Sequence, residues 1–477
     1  MAHGQTSVLQ HFEIDHYVEK LECMGIEDIL STRWAVCGCR LVQLGVQAAL
    51  EATHGTHDYV QHSITLQNKG LTVVWHLLTA EAWRLHLLPH LVNHPHLTPT
   101  SSLPFVAVLH TEAAALGLLE NLVFHEDSAA ALEGLTLDVI DYCVRQLNRL
   151  VVHAHNHPEQ PLLYQPQDAW PTATPTMNRK TKTEVGGGDD GGNEENQKSV
   201  VMEVSSEERR VGLALGCRAA GVIHLLASCR QRLPLCATTR LLQTHDVPQL
   251  LASLLYLAPW RAQLGSRLYV FQEGQWVEQQ GEAPALTPTE CQLWAALHTL
   301  LMDQETLAMY EVSSGRRAAL LKLRGRLNAA ALAQVPSLES LSRWLATLAL
   351  TAPQQARPPP LVTTVSQLGA GVAGVWEDRW EELAAVLEPR FLTPTPEALN
   401  ILAKNLAAAW DLDALEALLP DNPVCALCGE PAGRRCSRCR AHWYCRRECQ
   451  VKHWPDHKKL CDLLASDLTA KKSTFIE

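Results

Sequence analysis

Seven cysteines and one histidine in the last part of the chain have the residue types and the spacing of metal ligands. They occur in the order Cys425-x2-Cys428-x7-Cys436-x2-Cys439-x5-Cys445-x3-Cys449-x7-His457-x3-Cys461. Zn²⁺ prefers thiolate and imidazole ligands in tetrahedral sets of four, so these eight donors suffice for two zinc ions. Because four protein ligands leave no coordination position for a substrate, the pattern predicts structural zinc sites rather than a catalytic one.

The ligand spacing also predicts the local structure of this segment. Each Cys-x2-Cys pair fits a tight turn that directs two sulfurs at one ion. Cys445 and Cys449 are four residues apart, as are His457 and Cys461, which places each pair on one face of a helical turn. Metal binding must drive the folding of so short a segment, and structural zinc contributes about 10–16 kcal/mol in finger peptides. The spacing alone leaves open which pairs share an ion.

A disulfide framework is the alternative interpretation of the cysteine cluster. The first twenty residues, MAHGQTSVLQHFEIDHYVEK, are too polar for a secretion signal, so we expect a reducing compartment. Cys-x2-Cys pairs in a reducing compartment favour metal binding over disulfides. The other eight of the 15 cysteines lie scattered in apolar stretches, and we interpret them as small core residues.

The segment CALCGEPAGRRCSRCRAHWYCRRECQVKHWPDHKKLC resembles the MYND zinc-finger family, and every ligand position of that family is filled. The resemblance implies an interleaved arrangement with two zinc ions. One ion would be bound by Cys425, Cys428, Cys445 and Cys449. The other ion would be bound by Cys436, Cys439, His457 and Cys461.

The same resemblance implies a binding surface for partner proteins. MYND fingers dock short proline-containing peptides in a shallow groove, and Gln450 and Trp454 match groove positions of the family. A stiff polyproline segment loses little entropy when it binds beside an exposed indole. The alternative is that Trp454 packs into the small core of the finger.

Composition and charge narrow the class of protein. The 477 residues are 47% hydrophobic and 19% charged, which is a globular profile, and the net charge of -11 disfavours a dedicated nucleic-acid binder. From residue 421 onward, 11 Lys and Arg stand against 7 Asp and Glu, so the finger carries +4. No run of about 18 consecutive apolar residues occurs, so we expect no membrane partner.

The pattern along the chain predicts a mainly α protein. Helical regions are expected at 1–170 and 204–420, and a flexible linker or disordered loop at 171–203, where the sequence is rich in Gly and charge. The finger is expected at 421–465, followed by a tail at 466–477. Many consecutive helices with short joins predict a solenoid-like stack of the armadillo or HEAT type, although no regular period is present.

Individual segments give sharper predictions. Leu71–Val92 and Leu135–Val152 are apolar at helical spacing. Thr287-Pro288-Thr289-Glu290 is a helix start with a capping box. A hairpin is expected near 266–279, with its turn at Glu273-Gly274, and a long helix from Pro396 to Leu419.

The helical body carries a second resemblance. Its segments LLENLVFHED (118–127), LDVIDYCVRQL (137–147), TTRLLQTHDVPQLLASLLYLAPW (238–260) and LLKLRGRL (320–327) resemble a family of MYND-finger proteins that assemble axonemal dynein arms. The resemblance implies a non-enzymatic, cytoplasmic, cochaperone-like scaffold, expected also near centrioles or the base of the cilium. Its partners would be chaperones and other dynein assembly factors, with dynein chains as clients.

Two alternative functions and one possible contact within the chain remain open at this point. A nuclear corepressor-type adaptor would also use a MYND finger, and would recruit proline-rich partners to chromatin. A SET-type methyltransferase carries such a finger as well, but we find no cofactor-binding turn in the sequence. Finally, RPPPLV at 357–362 resembles the proline-rich peptides that some MYND fingers bind, so it could occupy the chain's own finger or act as a stiff spacer.

Overall fold

Apolar residues at helical spacing dominate the chain, and the computed structural model is accordingly mainly helical. It describes residues 9–54, 58–94, 96–156, 191–264, 267–272, 274–279, 286–355, 365–366 and 368–409, and in the finger 425–428, 430, 432, 434–436, 443–455, 457–458 and 461. Residues 7–410 form one compact unit, and 1–6 together with 411–477 form the other. We call the first unit the helical body.

The first part of the helical body ends at Asn156. Its helices are α1 (His11–Glu19), α2 (Thr32–His54), α3 (Tyr59–Leu66), α4 (Gly70–Ala82), α5 (Leu88–Val92), α6 (Leu103–Phe124), α7 (Glu126–Ala131) and α8 (Thr136–Asn156). A π-helical turn, Trp83–Leu87, joins α4 to α5. The helix predicted over Leu71–Val92 is therefore present, but with a wider turn in its middle. The helix predicted over Leu135–Val152 corresponds to α8.

The second part begins with a long helix, α9 (Gly191–Ser228). It continues with α10 (Leu235–Thr239), α11 (Val247–Leu257), α12 (Pro288–Met302), α13 (Gln304–Met309), α14 (Ser314–Lys322), α15 (Ala329–Gln334), α16 (Leu338–Leu348), α17 (Leu368–Ala373), α18 (Trp380–Phe391) and α19 (Pro396–Ala409). A second π-helical turn, Arg240–Thr244, follows α10. The helix predicted to end at Leu419 is described as far as Ala409.

Both parts of the body share one hydrophobic core. Helix α9 packs against α6, α8 and α12, and α6 also packs against α2 and α4. Helices α17 and α19 return to the first part of the chain, where they pack against α4 and α2. The two predicted helical regions therefore bury their apolar faces together, because each leaves a face that the other covers. The solenoid-like stacking of these helices remains a prediction.

Two helical segments have the length and composition of membrane spans. They are Leu103–Phe124, which is α6, and Val200–Ser228 within α9. In the most apolar 18-residue stretch of each helix, 67% and 61% respectively is buried inside the protein. This burial is the packing of central core helices, which need apolar residues on most of their circumference.

The linker predicted at 171–203 is wrong in its second part, because 191–203 is helical. Residues 157–190 lie outside the described residues. Val204 is buried in the core, and Val200 packs against it, so the helix is anchored there and extends backwards from that point.

A small antiparallel sheet interrupts the helices between α11 and α12. Its strands are β1 (Arg261–Leu264), β2 (Arg267–Gln272) and β3 (Gln275–Glu278), in the order β1-β2-β3. Strands β2 and β3 are the predicted hairpin, and Gly274 in its turn has a φ of +78°. Strand β1 was not predicted from the sequence.

The predicted capping box of α12 is confirmed. The hydroxyl of Thr287 accepts a hydrogen bond from the Glu290 N–H at 3.2 Å. The Glu290 carboxylate in turn accepts one from the Thr287 N–H at 2.8 Å. The same carboxylate binds Arg261 of β1, so the cap also ties the sheet to the helix.

An ion pair is fully buried inside the first part of the body. Arg84, in the π-helical turn, donates to both carboxylate oxygens of Glu112 on α6 at 2.7 Å, and their side chains are 1% and 0% exposed. The hydroxyl of Tyr142 donates to Glu112 at 2.9 Å, and Arg84 donates to Gln146 at 3.0 Å. Although burial lowers the pKa of Arg84, the Glu112 carboxylate more than offsets this and raises it. Arg84 is therefore charged in the core, and the Glu112 carboxylate is the group that compensates its charge.

We predict that Glu112→Ala destabilises the body by about 3–5 kcal/mol, because it leaves the Arg84 charge buried without its partner. Chemical denaturation of the full chain measures this change. Glu339→Ala is the matched control, since Glu339 is 70% exposed and lies 3.9 Å from Arg343, where ion pairs contribute little. A double variant, Arg84→Met with Glu112→Leu, should recover most of the lost stability. Equal shifts for Glu112→Ala and Glu339→Ala would contradict the charged pair.

Candidate metal centre

A tight turn and a two-stranded ribbon build the first half of the finger. The Cys425 N–H donates to the Glu430 carbonyl at 2.7 Å, which closes the turn that carries the first two ligands. The Ala426 N–H donates to the Trp443 carbonyl at 2.9 Å. Strands β4 (Arg434–Arg435) and β5 (Trp443–Tyr444) pair antiparallel. These contacts bring the turn close to the residue that follows β5, Cys445.

Four sulfurs meet at this place. The Sγ atoms of Cys425, Cys428, Cys445 and Cys449 all lie within 4.8 Å of one another. The separations are 3.5 Å from Cys428 to Cys445, 3.5 Å from Cys445 to Cys449 and 3.9 Å from Cys428 to Cys449. Sulfurs about 2.3 Å from a tetrahedral zinc ion are about 3.8 Å apart. The four thiols therefore fit one zinc ion.

The second cluster contains Cys436, His457 and Cys461, whose donor atoms also lie within 4.8 Å of one another. The Sγ atoms of Cys436 and Cys461 are 3.8 Å apart, and all three side chains are buried. Cys439, the fourth ligand expected for this ion, lies outside the described residues. At the first cluster a knuckle pair meets a helix pair that is distant in sequence, and at the second Cys436 meets the helix pair His457 and Cys461. The family resemblance implies this interleaved grouping.

The same distances exclude disulfides among the described cysteines of the finger. A disulfide holds its sulfurs about 2.05 Å apart, whereas none of the described finger cysteines forms a disulfide and the sulfurs of Cys428, Cys445 and Cys449 are at least 3.5 Å apart. Although burial raises the pKa of the Cys425 thiol, backbone N–H groups of Cys445, Leu427 and Cys428 lower it to about 6. Such N–H groups stabilise the thiolate that zinc requires. The finger binds two zinc ions through these clusters.

The finger's own core consists largely of its ligands. Ala432 and Tyr444 are buried together with four of the cysteines, and Trp443 and Trp454 pack against them. The Tyr444 hydroxyl is hydrogen-bonded to Nδ1 of His453 at 3.0 Å. So little apolar area cannot stabilise the segment alone, which explains why it needs metal.

The predicted peptide-binding residues lie on a short helix, 447–455. Gln450 is half-buried. Trp454 is also half-buried, and its ring centroid lies 5.9 Å from that of His457. Trp454 therefore contributes to the core, as the alternative interpretation expected, while part of its ring stays accessible. Its role in peptide binding remains a prediction.

Two exposed apolar side chains of the finger were missed from the sequence. Leu427 lies between two ligands and is 42% exposed, and Val451 follows Gln450 and is 63% exposed. Neither position needs an apolar residue for metal binding. An apolar residue between ligands of a metal knuckle was the signal that could have identified Leu427 as an exposed apolar position.

Comparison with known sequences agrees with this geometry. The MYND finger family matches residues 425–461, which span both clusters. This segment is a MYND finger. The proline-rich segment at 357–362 lies outside the described residues, and so does His442 within the finger.

The similarity to one relative extends over nearly the whole chain. The zinc finger MYND domain-containing protein 10 homolog of Drosophila melanogaster is 24% identical over 470 residues, which cover 93% of this chain and 97% of the relative. Such coverage includes the helical body, as the resemblance of the body segments predicted. No solved structure matches the chain.

Two other relatives match over short segments only. The human histone-lysine N-methyltransferase SMYD3 is 49% identical over 45 residues, which are 9% of this chain and 10% of that enzyme. The dauer abnormal formation protein 25 of Caenorhabditis elegans is 49% identical over 41 residues, 8% of this chain and 10% of the relative. The match to the methyltransferase therefore leaves about nine-tenths of that enzyme without a counterpart. The comparisons and the donor sets together support a MYND-containing adaptor protein.

We predict that the two zinc ions respond to pairs of substitutions according to the interleaved grouping. Cys428→Ala should remove one ion, and adding Cys445→Ala should remove no more, because both ligands belong to one set. Adding Cys461→Ala instead should remove the second ion. Native mass spectrometry of the full chain counts the bound zinc.

A sequential grouping, with Cys425, Cys428, Cys436 and Cys439 on one ion, gives a different result. In that arrangement Cys428→Ala with Cys445→Ala would lose both ions. Cys236→Ala is a suitable control, since Cys236 lies on α10 in the helical body and belongs to neither ligand set.

Proposed function

We propose that the chain is a non-enzymatic scaffold and adaptor for the preassembly of axonemal dynein arms, and thereby for the assembly of motile cilia or flagella. The similarity along the helical body carries this proposal. The finger alone occurs in proteins of different kinds, as the methyltransferase match shows. The body accounts for most of the 93% of the chain that matches the MYND domain-containing protein 10 homolog.

The chemistry of the finger supports a binding role. The four thiols at Cys425, Cys428, Cys445 and Cys449 complete one tetrahedral set, so that ion has no position for a substrate. Exposed Leu427, Val451 and part of Trp454 offer apolar contact area beside the zinc clusters. Apolar and aromatic side chains rimmed by basic ones are typical of a protein-binding surface.

The partners follow from the proposed process. The body and the finger would bind chaperones, other dynein assembly factors and dynein chains as clients, in the cytoplasm and near the centrioles or the ciliary base. The finger would take a proline-containing peptide across Gln450 and Trp454. Nucleic acid is not expected as a partner, because the chain carries a net charge of -11.

The experiment compares the partners of the intact chain with those of a finger variant. We expect affinity purification of the tagged full chain from ciliated cells to recover chaperones and dynein chains. Cys445→Ala removes a zinc ligand, so it should lose the partners of the finger and keep those of the helical body. Cys236→Ala, a cysteine variant outside both zinc sets, should keep all of them.

Two outcomes would contradict the proposal. Recovery of chromatin factors in place of chaperones and dynein chains would favour the corepressor-type adaptor. Transfer of a methyl group from S-adenosylmethionine to a recovered partner by the purified chain would favour the methyltransferase.

A further inference from the structure

A cleft in the helical body combines an apolar floor with a cationic rim. It has a volume of about 400 Å³ and lies between α2 and the segment that precedes it. We call it the α2 cleft and define it by Lys20, Glu22, Met24, Arg33, Val36 and Arg40. It is far in sequence from the zinc ligands, and nothing in the finger accounts for it.

One wall of the α2 cleft is a stripe along helix α2. Arg33, Val36, Cys37 and Arg40 follow one another at i, i+3, i+4 and i+7, so they lie on one helix face. Cys37 is 2% exposed and forms part of the floor, whereas Val36 is 39% exposed. This stripe presents an apolar centre between two guanidinium groups.

The opposite wall is a non-helical segment that side chains of α4 and its N-cap hold in place. The indole N–H of Trp75 donates to the Met24 carbonyl at 2.7 Å, and His76 donates to the Glu22 carbonyl at 2.9 Å. Lys69 donates to the Leu21 carbonyl at 2.8 Å. With its backbone bonded in this way, the wall is preformed, so a ligand loses little free energy in ordering it.

The charge of the α2 cleft is positive although the whole chain is acidic. Lys20, Arg33 and Arg40 stand against Glu22, which is bound to Arg33 at 2.5 Å. Lys20 lies 3.6 Å from Glu19. Arg40 is partly buried, and within the described part of the chain it makes no hydrogen bond or ion pair. Its guanidinium donors are therefore available to an anionic group of a ligand, which they can bind through charge-assisted hydrogen bonds.

We propose that the α2 cleft binds an acidic segment of a partner protein, in which a carboxylate pairs with Arg40 and a neighbouring apolar side chain covers Val36 and Met24. Charge complementarity selects the acidic group, because guanidinium binds carboxylate in a bidentate geometry. The apolar floor selects a peptide over a free anion, because a free anion has no apolar group to cover the floor. The proposal concerns the helical body and does not depend on the dynein-arm assignment.

The test uses the full chain and a short fluorescein-labelled peptide in which Glu and Leu alternate. Fluorescence anisotropy should show binding that weakens as salt is added, because the rim charges are close to solvent. Arg40→Glu should weaken binding about tenfold or more, since it replaces a charge-assisted bond by repulsion. Arg343→Glu is the matched control, as Arg343 is 74% exposed on α16, and should bind as the unaltered chain does.

Arg40→Gln removes only the charge, so it tests the same contact even if Arg40→Glu does not fold. Circular dichroism checks that both variants fold. Equal binding of a peptide with Gln in place of Glu would overturn the proposal. Unchanged affinity in both Arg40 variants would do the same. Full displacement of the peptide by millimolar inorganic phosphate, with Ser in place of Leu making no difference, would show a plain anion site and would also overturn it.

Discussion

Metal coordination by clustered thiols is the interaction on which the C-terminal part of this protein depends. The finger buries Tyr444 and Ala432 and little else besides its ligands, so it lacks the apolar area of an ordinary core. The ligands come from pairs distant in sequence, so binding the metal also closes the turn at Cys425 onto β5 and the helix at 447–455. The same closure makes the zinc structural, because four protein ligands complete the coordination of the ion.

The helical body is stabilised in a different way. Its core runs from Leu9 to Leu402 and joins helices from the first and last parts of the body around α6 and α9. Inside it, Arg84 and Glu112 form a buried ion pair that constrains how α6 meets the π-helical turn, since either residue without the other would leave a buried group uncompensated. A body with its own core can present binding surfaces, such as the α2 cleft, that do not require zinc. Under the two proposals made above, the adaptor would hold one partner at the finger and another at the α2 cleft.

The sequence predicts most of what depends on local spacing. The ligand pattern, the capping box of α12 and the turn at Gly274 each depend on residues that are close together in the sequence, and all appear in the structure. Features that depend on distant contacts were missed. Strand β1 forms because β2 pairs with it, and residues 191–203 are helical because Val204 is anchored in the core. The α2 cleft needs Trp75 and His76 to hold a segment about fifty residues earlier in the chain, which no local pattern reveals.

The central claim is that zinc folds the finger while the helical body folds on its own apolar core. Thermal unfolding of the full chain, followed by far-ultraviolet circular dichroism with and without a zinc-specific chelator, tests it most directly. The account predicts that chelation releases both zinc ions and leaves the helical signal and its unfolding midpoint unchanged within error, because the finger contributes few helical residues. Collapse of the helical signal when zinc is removed would contradict it, since the body would then depend on the metal as well.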